Sequence, residues 1–215
     1  MLIIFDWDGT LIDSAGKIIA CMQMAANDAD LPVQSPEAVK NIIGLGLPEA
    51  IRVLYPEIDD HSLENFRQSY SAHYVREDQV PCEFFPNVMP TLETLRKQGH
   101  ALAVATGKSR RGLNRVLGNL GLQDFFDSTR CADETRSKPH PLMVNEILDE
   151  LDFLPQDTAM VGDTEYDLAM AANAGVRAIA VTYGAHSVDR LSSHEPCLWL
   201  DDFAGLLGWS EISEI

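Results

Sequence analysis

Short runs of apolar residues recur along the chain, with amphipathic stretches between them. The strand-like runs are Leu2–Phe5, Ala101–Ala105, Ala159–Val161 and Ala178–Thr182, with a shorter one at Leu198–Leu200. They are continuously apolar, which is typical of parallel strands covered on both faces. Helical patterns occupy Thr91–Gln98, Arg110–Leu120 and Thr164–Ala174, and each is followed by a glycine that can end a helix. We therefore predict an α/β core with a doubly wound, Rossmann-like parallel sheet.

Residues 14–84 differ from the rest because they contain no convincing strand. Apolar residues recur there at helical spacing, and Ser35-Pro36-Glu37 combines a capping side chain with a proline suited to the first helical turn. We predict that this segment is an inserted α-helical cap subdomain and that residues 1–13 and 85–215 form the core. The proline-bounded segment Pro81–Pro86 would connect the two.

Composition and charge limit the classes of partner. The chain has 215 residues, of which 46% are hydrophobic and 23% charged, and its formal net charge is −17. That charge argues against nonspecific binding to nucleic acid or to an anionic membrane. The charge is compatible with a small anionic substrate if a metal ion and a few local cations make the electrostatic potential inside the site favourable for an anion.

Targeting and redox signals are weak. The four cysteines are scattered, so they indicate neither a disulfide framework nor a zinc site. The N-terminus carries no basic leader, and no apolar stretch reaches the length of a transmembrane span. We expect a cytoplasmic protein, either monomeric or homodimeric.

Two carboxylates follow the first predicted strand, in the sequence Asp6-Trp7-Asp8-Gly9-Thr10. In an extended segment residues i and i+2 point the same way, so Asp6 and Asp8 would face one small volume. Such a pair can share a cation or divide into a nucleophile and a proton carrier. The alternative is a polar strand end with ordinary Asp-Gly turn chemistry.

Polar residues also follow the other strands, as expected for a ligand site at the carboxyl edge of an α/β sheet. Thr106-Gly107 follows the second run and enters a helix, where backbone N–H groups favour anions. Lys138 lies in a proline-rich loop. Asp163 and Asp167 follow the Ala159–Val161 run, and carboxylate oxygens are the ligands that Mg²⁺ prefers. Taken singly, each of these residues has an ordinary structural explanation, as a helix cap, a turn residue or a solvated side chain. Together they indicate magnesium-dependent phosphoryl transfer.

The motifs Asp6-x-Asp8-Gly9-Thr10, Thr106-Gly107, Lys138-Pro139 and Gly162-Asp163-x-x-x-Asp167 resemble the four motifs of the haloacid dehalogenase (HAD) superfamily. The resemblance covers essentially the whole chain, and the helical insert is similar to a C1-type cap. The subgroup that the chain most resembles is the phosphoglycolate phosphatase-like enzymes, with β-phosphoglucomutase-like and pyrophosphatase-like members close to it.

The resemblance implies specific roles. Asp6 would be the nucleophile that forms an aspartyl-phosphate, and Asp8 the general acid and then the general base. Mg²⁺ would be held by Asp6, the Asp8 backbone carbonyl and Asp163, with Asp167 binding it directly or supporting another ligand. The remaining motif residues, Thr106, Gly107 and Lys138, would hold the phosphate oxygens.

The implied activity is hydrolysis of a small-molecule phosphate monoester. An acid at position 8 favours phosphate esters over carbon–halogen and phosphonate bonds. A phosphomutase needs the same core residues, and a noncatalytic phosphate-binding regulator on this scaffold is the alternative from another class. The substrate itself is not readable from the sequence.

The cap is expected to select the substrate. Gly44–Pro48 is either a loop that reaches the active site or a plain turn between helices. Lys17, Lys40 and Arg52 could meet a second anionic group or simply be solvated. The basic cluster Lys108, Arg110 and Arg111 could concentrate anions at the entrance or offset local acidity.

Overall fold

The computed structural model describes residues 1–77 and 82–213. It contains a six-stranded sheet with the order β3-β2-β1-β4-β5-β6, and every neighbouring pair is parallel. The strands are β1 (Leu2–Phe5), β2 (Ala101–Thr106), β3 (Ser128–Cys131), β4 (Thr158–Gly162), β5 (Arg177–Val181) and β6 (Leu198–Leu200).

Helices cover both faces of this sheet and form the insert after β1. In chain order they are α1 (Ala15–Asp28), α2 (Pro36–Lys40), α3 (Leu47–Leu54), α4 (Asp60–Glu77), α5 (Val88–Lys97), α6 (Arg110–Leu120), α7 (Leu142–Leu151), α8 (Glu165–Ala174), α9 (Val188–Ser192) and α10 (Ser210–Ser213). Short 3-10 helices occupy Pro155–Asp157 and Phe203–Gly208.

The central position of β1 fixes where the site lies. All four residues of β1 are buried, because alternate side chains pack into apolar clusters on opposite faces of the sheet. The chain runs from β1 outward to β2 and β3, then crosses to β4 on the other side. The reversal of strand order falls between β1 and β4. Ligands bind at such a switch point, beyond the carboxyl ends of the strands.

The inserted helices α1–α4 have an apolar cluster of their own, which includes Ile18, Met22, Ile51 and Phe66. The chain enters and leaves the insert through two adjacent segments. Ile12 forms an antiparallel bridge with Phe84, and the Asp13 N–H donates to the Glu83 carbonyl oxygen over 2.9 Å. This paired crossing is where the helical part joins the sheet part.

The predicted fold class is confirmed. Two strands and one helix occupy the predicted residues, Leu2–Phe5, Leu198–Leu200 and Arg110–Leu120, and the other elements shift by one to three residues. The sequence analysis missed β3. The connector residue Pro81 lies outside the described residues, and the domain limits of 14–84 stay a prediction. Within the part of the chain described, no helix is both long and apolar enough to span a membrane.

Candidate active site

The two predicted aspartates lie beyond the carboxyl end of β1, and both line one large cavity. The Asp6 N–H donates to the Val161 carbonyl oxygen over 3.0 Å, so the sheet ladder continues one residue past β1. Asp6 is 1% exposed and Asp8 is 7% exposed. Their side chains contact different partners, so the pair is chemically divided.

Asp6 is paired with the predicted lysine. Lys138 Nζ lies 2.5 Å from Asp6 Oδ1 and 2.6 Å from Asp167 Oδ1, and its side chain is completely buried. One ammonium group therefore bridges a carboxylate at the end of β1 and one in the first turn of α8. The sequence analysis assigned Lys138 to the phosphate, and the structure adds these two carboxylates as its direct partners.

Asp163 follows β4 and is held by two donors. The Thr10 hydroxyl donates to Oδ1 over 2.8 Å, and the Ala185 N–H donates to Oδ2 over 2.7 Å. Two glycines leave room for this carboxylate. A Cβ at Gly9, where φ is +90°, would lie 2.2 Å from Asp163 Oδ2, and one at Gly184 would lie 2.1 Å from the Asp163 Cβ. Larger residues at those positions would displace Asp163.

Asp167 lies in the first turn of α8, where it completes a capping box with Thr164. Its Oδ2 accepts hydrogen bonds from the Thr164 N–H over 3.1 Å and from the Thr164 hydroxyl over 2.7 Å. A Cβ on Gly162 would lie 2.2 Å from the Asp167 Cβ. The helix start and the glycine together fix the carboxylate against Lys138.

The donor set fits a divalent cation. Asp6, Asp163 and Asp167 are buried and each offers one carboxylate oxygen, and these three oxygens lie within 4.8 Å of one another. Asp6 Oδ2 is buried with no hydrogen-bond partner among the described residues. A hard cation with oxygen ligands, such as Mg²⁺, matches this arrangement.

The electrostatics of the cluster also favour a bound cation. Burial raises the pKa of Asp6 well above its usual range, and the carboxylates of Asp167 and Asp163 raise it further against the opposing Lys138. Burial and the Asp167 charge raise the pKa of Asp163 to about 7. Three buried carboxylates beside one ammonium leave negative charge uncompensated, and a bound cation would offset it.

Asp8 belongs to a separate hydrogen-bond network. Ser14, at the start of α1, donates its hydroxyl to Asp8 Oδ1 over 2.6 Å. Lys108 Nζ lies 2.9 Å from the same oxygen and donates to the Tyr74 hydroxyl over 3.0 Å. Burial lowers the pKa of Lys108, but Asp8 and the neighbouring tyrosines outweigh it and hold that pKa well above its usual range. Lys108 therefore connects Asp8 to the helical insert.

Thr106 is the last residue of β2, and Gly107 follows it beside the insert. Thr106 is fully buried, and its Oγ1 accepts a hydrogen bond from the Lys108 N–H over 3.2 Å. A Cβ at Gly107 would lie 2.4 Å from the Leu45 carbonyl oxygen and 2.7 Å from that of Gly44. The loop after α2 thus reaches the active site, where its backbone packs on Gly107.

A second group of core residues holds the same region of the insert. The Tyr166 hydroxyl donates to the Asn41 carbonyl oxygen over 2.9 Å, and Arg190 contacts the Asn41 side chain. The Ser137 hydroxyl accepts a hydrogen bond from the Gly46 N–H over 2.8 Å. Residues on both sides of Gly44 are therefore tied to the core.

The basic residues singled out in the sequence lie in different places. Lys108 and Arg111 line the cavity, whereas Arg110 pairs with Glu134 over 2.7 Å outside it. Arg52 pairs with Asp60 over 2.6 Å on the surface. Lys17 lies 4.5 Å from the centre of the Tyr74 ring, and Lys40 is exposed.

The sequence analysis did not anticipate several contacts of the site. It missed the pairing of Lys108 with Asp8 and the hydrogen bond from Thr10 to Asp163. Tyr74 lies on the buried face of α4, and its helical spacing made it indistinguishable from a core residue. For Lys108 the available signals were its place in the basic cluster with Arg110 and Arg111 and its proximity to the motif Thr106-Gly107.

Comparison with known sequences identifies the family. A sequence-family model described as haloacid dehalogenase-like hydrolase matches residues 3–181. The probable phosphatase IndB of Dickeya dadantii is 36% identical over 211 residues, which cover 96% of this chain and 92% of IndB. A phosphoglycolate phosphatase of Vibrio vulnificus is 28% identical, with 96% of this chain and 94% of that protein covered.

Solved structures agree with the sequence matches. A Bacteroides fragilis protein assigned to the haloacid dehalogenase-like hydrolases superposes with a TM-score of 0.89 at 28% identity, covering 95% of this chain and 98% of that one. A Pseudomonas syringae hydrolase shows the same fold with a TM-score of 0.88 at 22% identity, covering 97% and 96%. These matches confirm the predicted superfamily and the predicted enzyme class, a phosphatase-type hydrolase. The chain belongs to the haloacid dehalogenase-like hydrolase family.

Proposed function

We propose that this protein is a Mg²⁺-dependent phosphatase that hydrolyses a small phosphorylated metabolite through an aspartyl-phosphate on Asp6. The observation that carries the proposal is that two aspartates line the same cavity but have different contact partners. Asp6 lies in a buried cluster with Lys138, Asp163 and Asp167, and Asp8 lies in a separate network. A fixed carboxylate beside a second, independently held one is what nucleophilic and acid–base catalysis require.

In this proposal a carboxylate oxygen of Asp6 attacks the phosphorus atom and the ester oxygen leaves. Asp8 donates a proton to that leaving oxygen and later accepts one from the water that hydrolyses the aspartyl-phosphate. The hydrogen bond from Ser14 and the ion pair with Lys108 hold the Asp8 side chain at the cavity. One side chain thus moves a proton in each half of the reaction.

The metal would be held by Asp6, Asp163 and the Asp8 backbone carbonyl, with Asp167 either binding it directly or orienting Lys138. When bound, Mg²⁺ would offset the repulsion between an anionic nucleophile and an anionic phosphate. We assign the donors of Thr106, Gly107 and Lys138 to the phosphate oxygens, because backbone N–H groups at a helix start, a hydroxyl and an ammonium group can stabilise them.

The similarity to proteins named phosphoglycolate phosphatase supports a small phosphate monoester as substrate. We place the enzyme in the cytoplasm, where such metabolites occur. Transfer of the phosphoryl group to a sugar phosphate, as in a phosphomutase, is the second candidate. The close approach of the Gly44–Leu45 backbone to Gly107 favours it, because a mutase needs the insert near the site to keep water from the phosphorylated aspartate.

The function is tested by measuring phosphate release from a panel of phosphate monoesters and pyrophosphate with and without Mg²⁺. We expect turnover of at least one ester that needs Mg²⁺ and is lost in Asp6→Asn. Phosphoryl transfer to an added sugar phosphate that outpaces transfer to water would favour the mutase. Lack of turnover across the panel would overturn both and favour a noncatalytic phosphate-binding protein.

A further inference from the structure

A cavity of about 770 Å³ lies between the inserted helices and the sheet core, and Asp6 and Asp8 are among its lining residues. Sites that enclose drug-sized ligands have volumes of about 300–1,000 Å³. A two-carbon phosphate ester such as phosphoglycolate would occupy a small part of this space. The cavity is therefore sized for a larger leaving group.

Much of the cavity wall that the insert contributes is apolar. This apolar part is formed by α1, α4 and the segment before α3, through Ile18, Met22, Ile42, Ile43, Tyr70 and Tyr74. Charged and polar residues of the insert also line the cavity, namely Glu49, Glu64, Arg67, Gln68 and Ser71. The Tyr70 and Tyr74 rings lie 5.7 Å apart at 44°. Aromatic and aliphatic surfaces arranged in this way favour a flat apolar group, because contact with it removes water from both surfaces.

Two polar groups on the cavity form no hydrogen bond or ion pair with the residues that the structure describes. The Tyr70 hydroxyl makes no hydrogen bond to the described residues, although its ring is half-buried beside the Lys108–Asp8 pair. Arg111 forms no ion pair with the acids that the structure describes. By contrast, Arg67 on the same cavity is paired with Glu64 over 2.7 Å. Among the described residues nothing occupies the Tyr70 hydroxyl or the Arg111 guanidinium, so both can contact polar substituents of a large leaving group.

We propose that the natural substrate is the phosphate monoester of an alcohol that carries a ring, and that this ring packs against the wall formed by Ile18, Met22, Tyr70 and Tyr74. The inference rests on the proposed phosphatase function and adds the class of its leaving group. A hydrophobic pocket distinguishes ligands that differ by one methylene by about tenfold or more, so a whole ring is a measurable difference.

The test uses three primary alkyl esters with similar leaving-group chemistry: 2-phenylethyl phosphate, ethyl phosphate and 2-phosphoglycolate. We expect kcat/KM for 2-phenylethyl phosphate to exceed that for either small ester by at least about tenfold. An equal or higher kcat/KM for a small ester would overturn the inference and leave the phosphatase proposal intact. Failure to hydrolyse all three esters, and the wider panel, would overturn the phosphatase proposal itself.

Two substitutions locate the ring. Met22→Trp places a larger side chain in the space beside the apolar wall, and Tyr70→Ala removes part of that wall. In both variants the ratio of kcat/KM for 2-phenylethyl phosphate to kcat/KM for ethyl phosphate should fall towards one. Val53→Trp is the matched control, because Val53 lies on α3, is 51% exposed and does not line the cavity. It should leave the ratio unchanged. An unchanged ratio in both wall variants, with folding verified by circular dichroism, would place the ring elsewhere and overturn the inference.

Discussion

Lys138 and Asp6 form an ion pair of 2.5 Å in which neither side chain is more than 1% exposed. Lys138 also lies 2.6 Å from Asp167, so it is the cation that the buried carboxylates share. Burying a charge without a partner costs much free energy, and the ion pairs with Lys138 lower that cost for the two carboxylates. The position of the proposed nucleophile thus depends on a residue from a different loop.

Removing that cation should destabilise the protein strongly. In Lys138→Met the carboxylates of Asp6 and Asp167 stay buried without their shared partner, so we expect the free energy of unfolding to fall by about 3–5 kcal/mol. Urea denaturation of the metal-free protein measures it. Lys97→Met is the control, since Lys97 lies 3.9 Å from Glu93 on the surface, and should change it by at most about 0.5 kcal/mol. A loss for Lys138→Met as small as the control's would refute the structural role.

The Tyr74 hydroxyl should contribute to catalysis through Lys108. Tyr74→Phe keeps the ring and removes the hydrogen bond of 3.0 Å, leaving Lys108 less firmly held against Asp8. We expect kcat/KM to fall by about tenfold, the equivalent of about 1.4 kcal/mol. Steady-state kinetics on any accepted ester measures this.

Tyr55→Phe provides the comparison for that variant. The Tyr55 hydroxyl donates to the Pro32 carbonyl oxygen over 2.8 Å, inside the helical insert and away from the cavity. Tyr55→Phe also removes one hydroxyl from a buried tyrosine, but its kcat/KM should match the wild type. If the two variants behave alike, the Lys108–Tyr74 contact has no catalytic consequence.

The sequence predicted the elements that carry strong apolar patterns and missed those set by tertiary contacts. β1 was readable because its four residues are all apolar and buried. β3 was not, because its residues Ser128–Cys131 are mostly polar and lie at the edge of the sheet. The helix α5 begins at Val88, three residues before its predicted start at Thr91, because Pro90 fits within a first helical turn.

The motif residues were predictable for a similar reason. Asp6, Thr106 and Asp163 each follow a recognisable strand, and parallel strands bring such residues to one edge of the sheet. The network around Asp8 includes Tyr74, which is 66 positions away from it in the chain and belongs to the insert. No local pattern specifies how the insert docks, so this contact required the structure.

The proposed metal site should require a residue without a Cβ at position 184. In Gly184→Ala the added Cβ would lie 2.1 Å from the Asp163 Cβ, so the carboxylate must shift. We expect a reduction in Mg²⁺ affinity of about tenfold or more, measured by titrating activity with Mg²⁺. Gly16→Ala is the control, because a Cβ there has no neighbour within 4 Å, and its Mg²⁺ affinity should match the wild type. A Gly184→Ala protein with wild-type affinity would contradict the proposed ligand set.

Mg²⁺ should stabilise the folded protein through Asp163. At a concentration of 100 times its Kd, a ligand that binds only the folded state adds about 2.7 kcal/mol to the free energy of unfolding. We expect Mg²⁺ to raise Tm, measured by differential scanning calorimetry at fixed ionic strength, and Asp163→Asn to lose most of that increase. The exposed residue Asp124 supplies the control, and Asp124→Asn should keep the full increase. Equal increases in both variants would exclude Asp163 as a ligand.

The central claim is that Asp6 carries the phosphoryl group during turnover. The most direct measurement mixes the enzyme and Mg²⁺ with a hydrolysed ester, quenches the reaction in acid within milliseconds, and locates the phosphoryl group by mass spectrometry of the digested protein. We predict one acid-stable acyl phosphate on Asp6 and none in Asp6→Asn. Phosphoryl transfer to a different residue, or turnover by Asp6→Asn at the wild-type rate, would contradict the account.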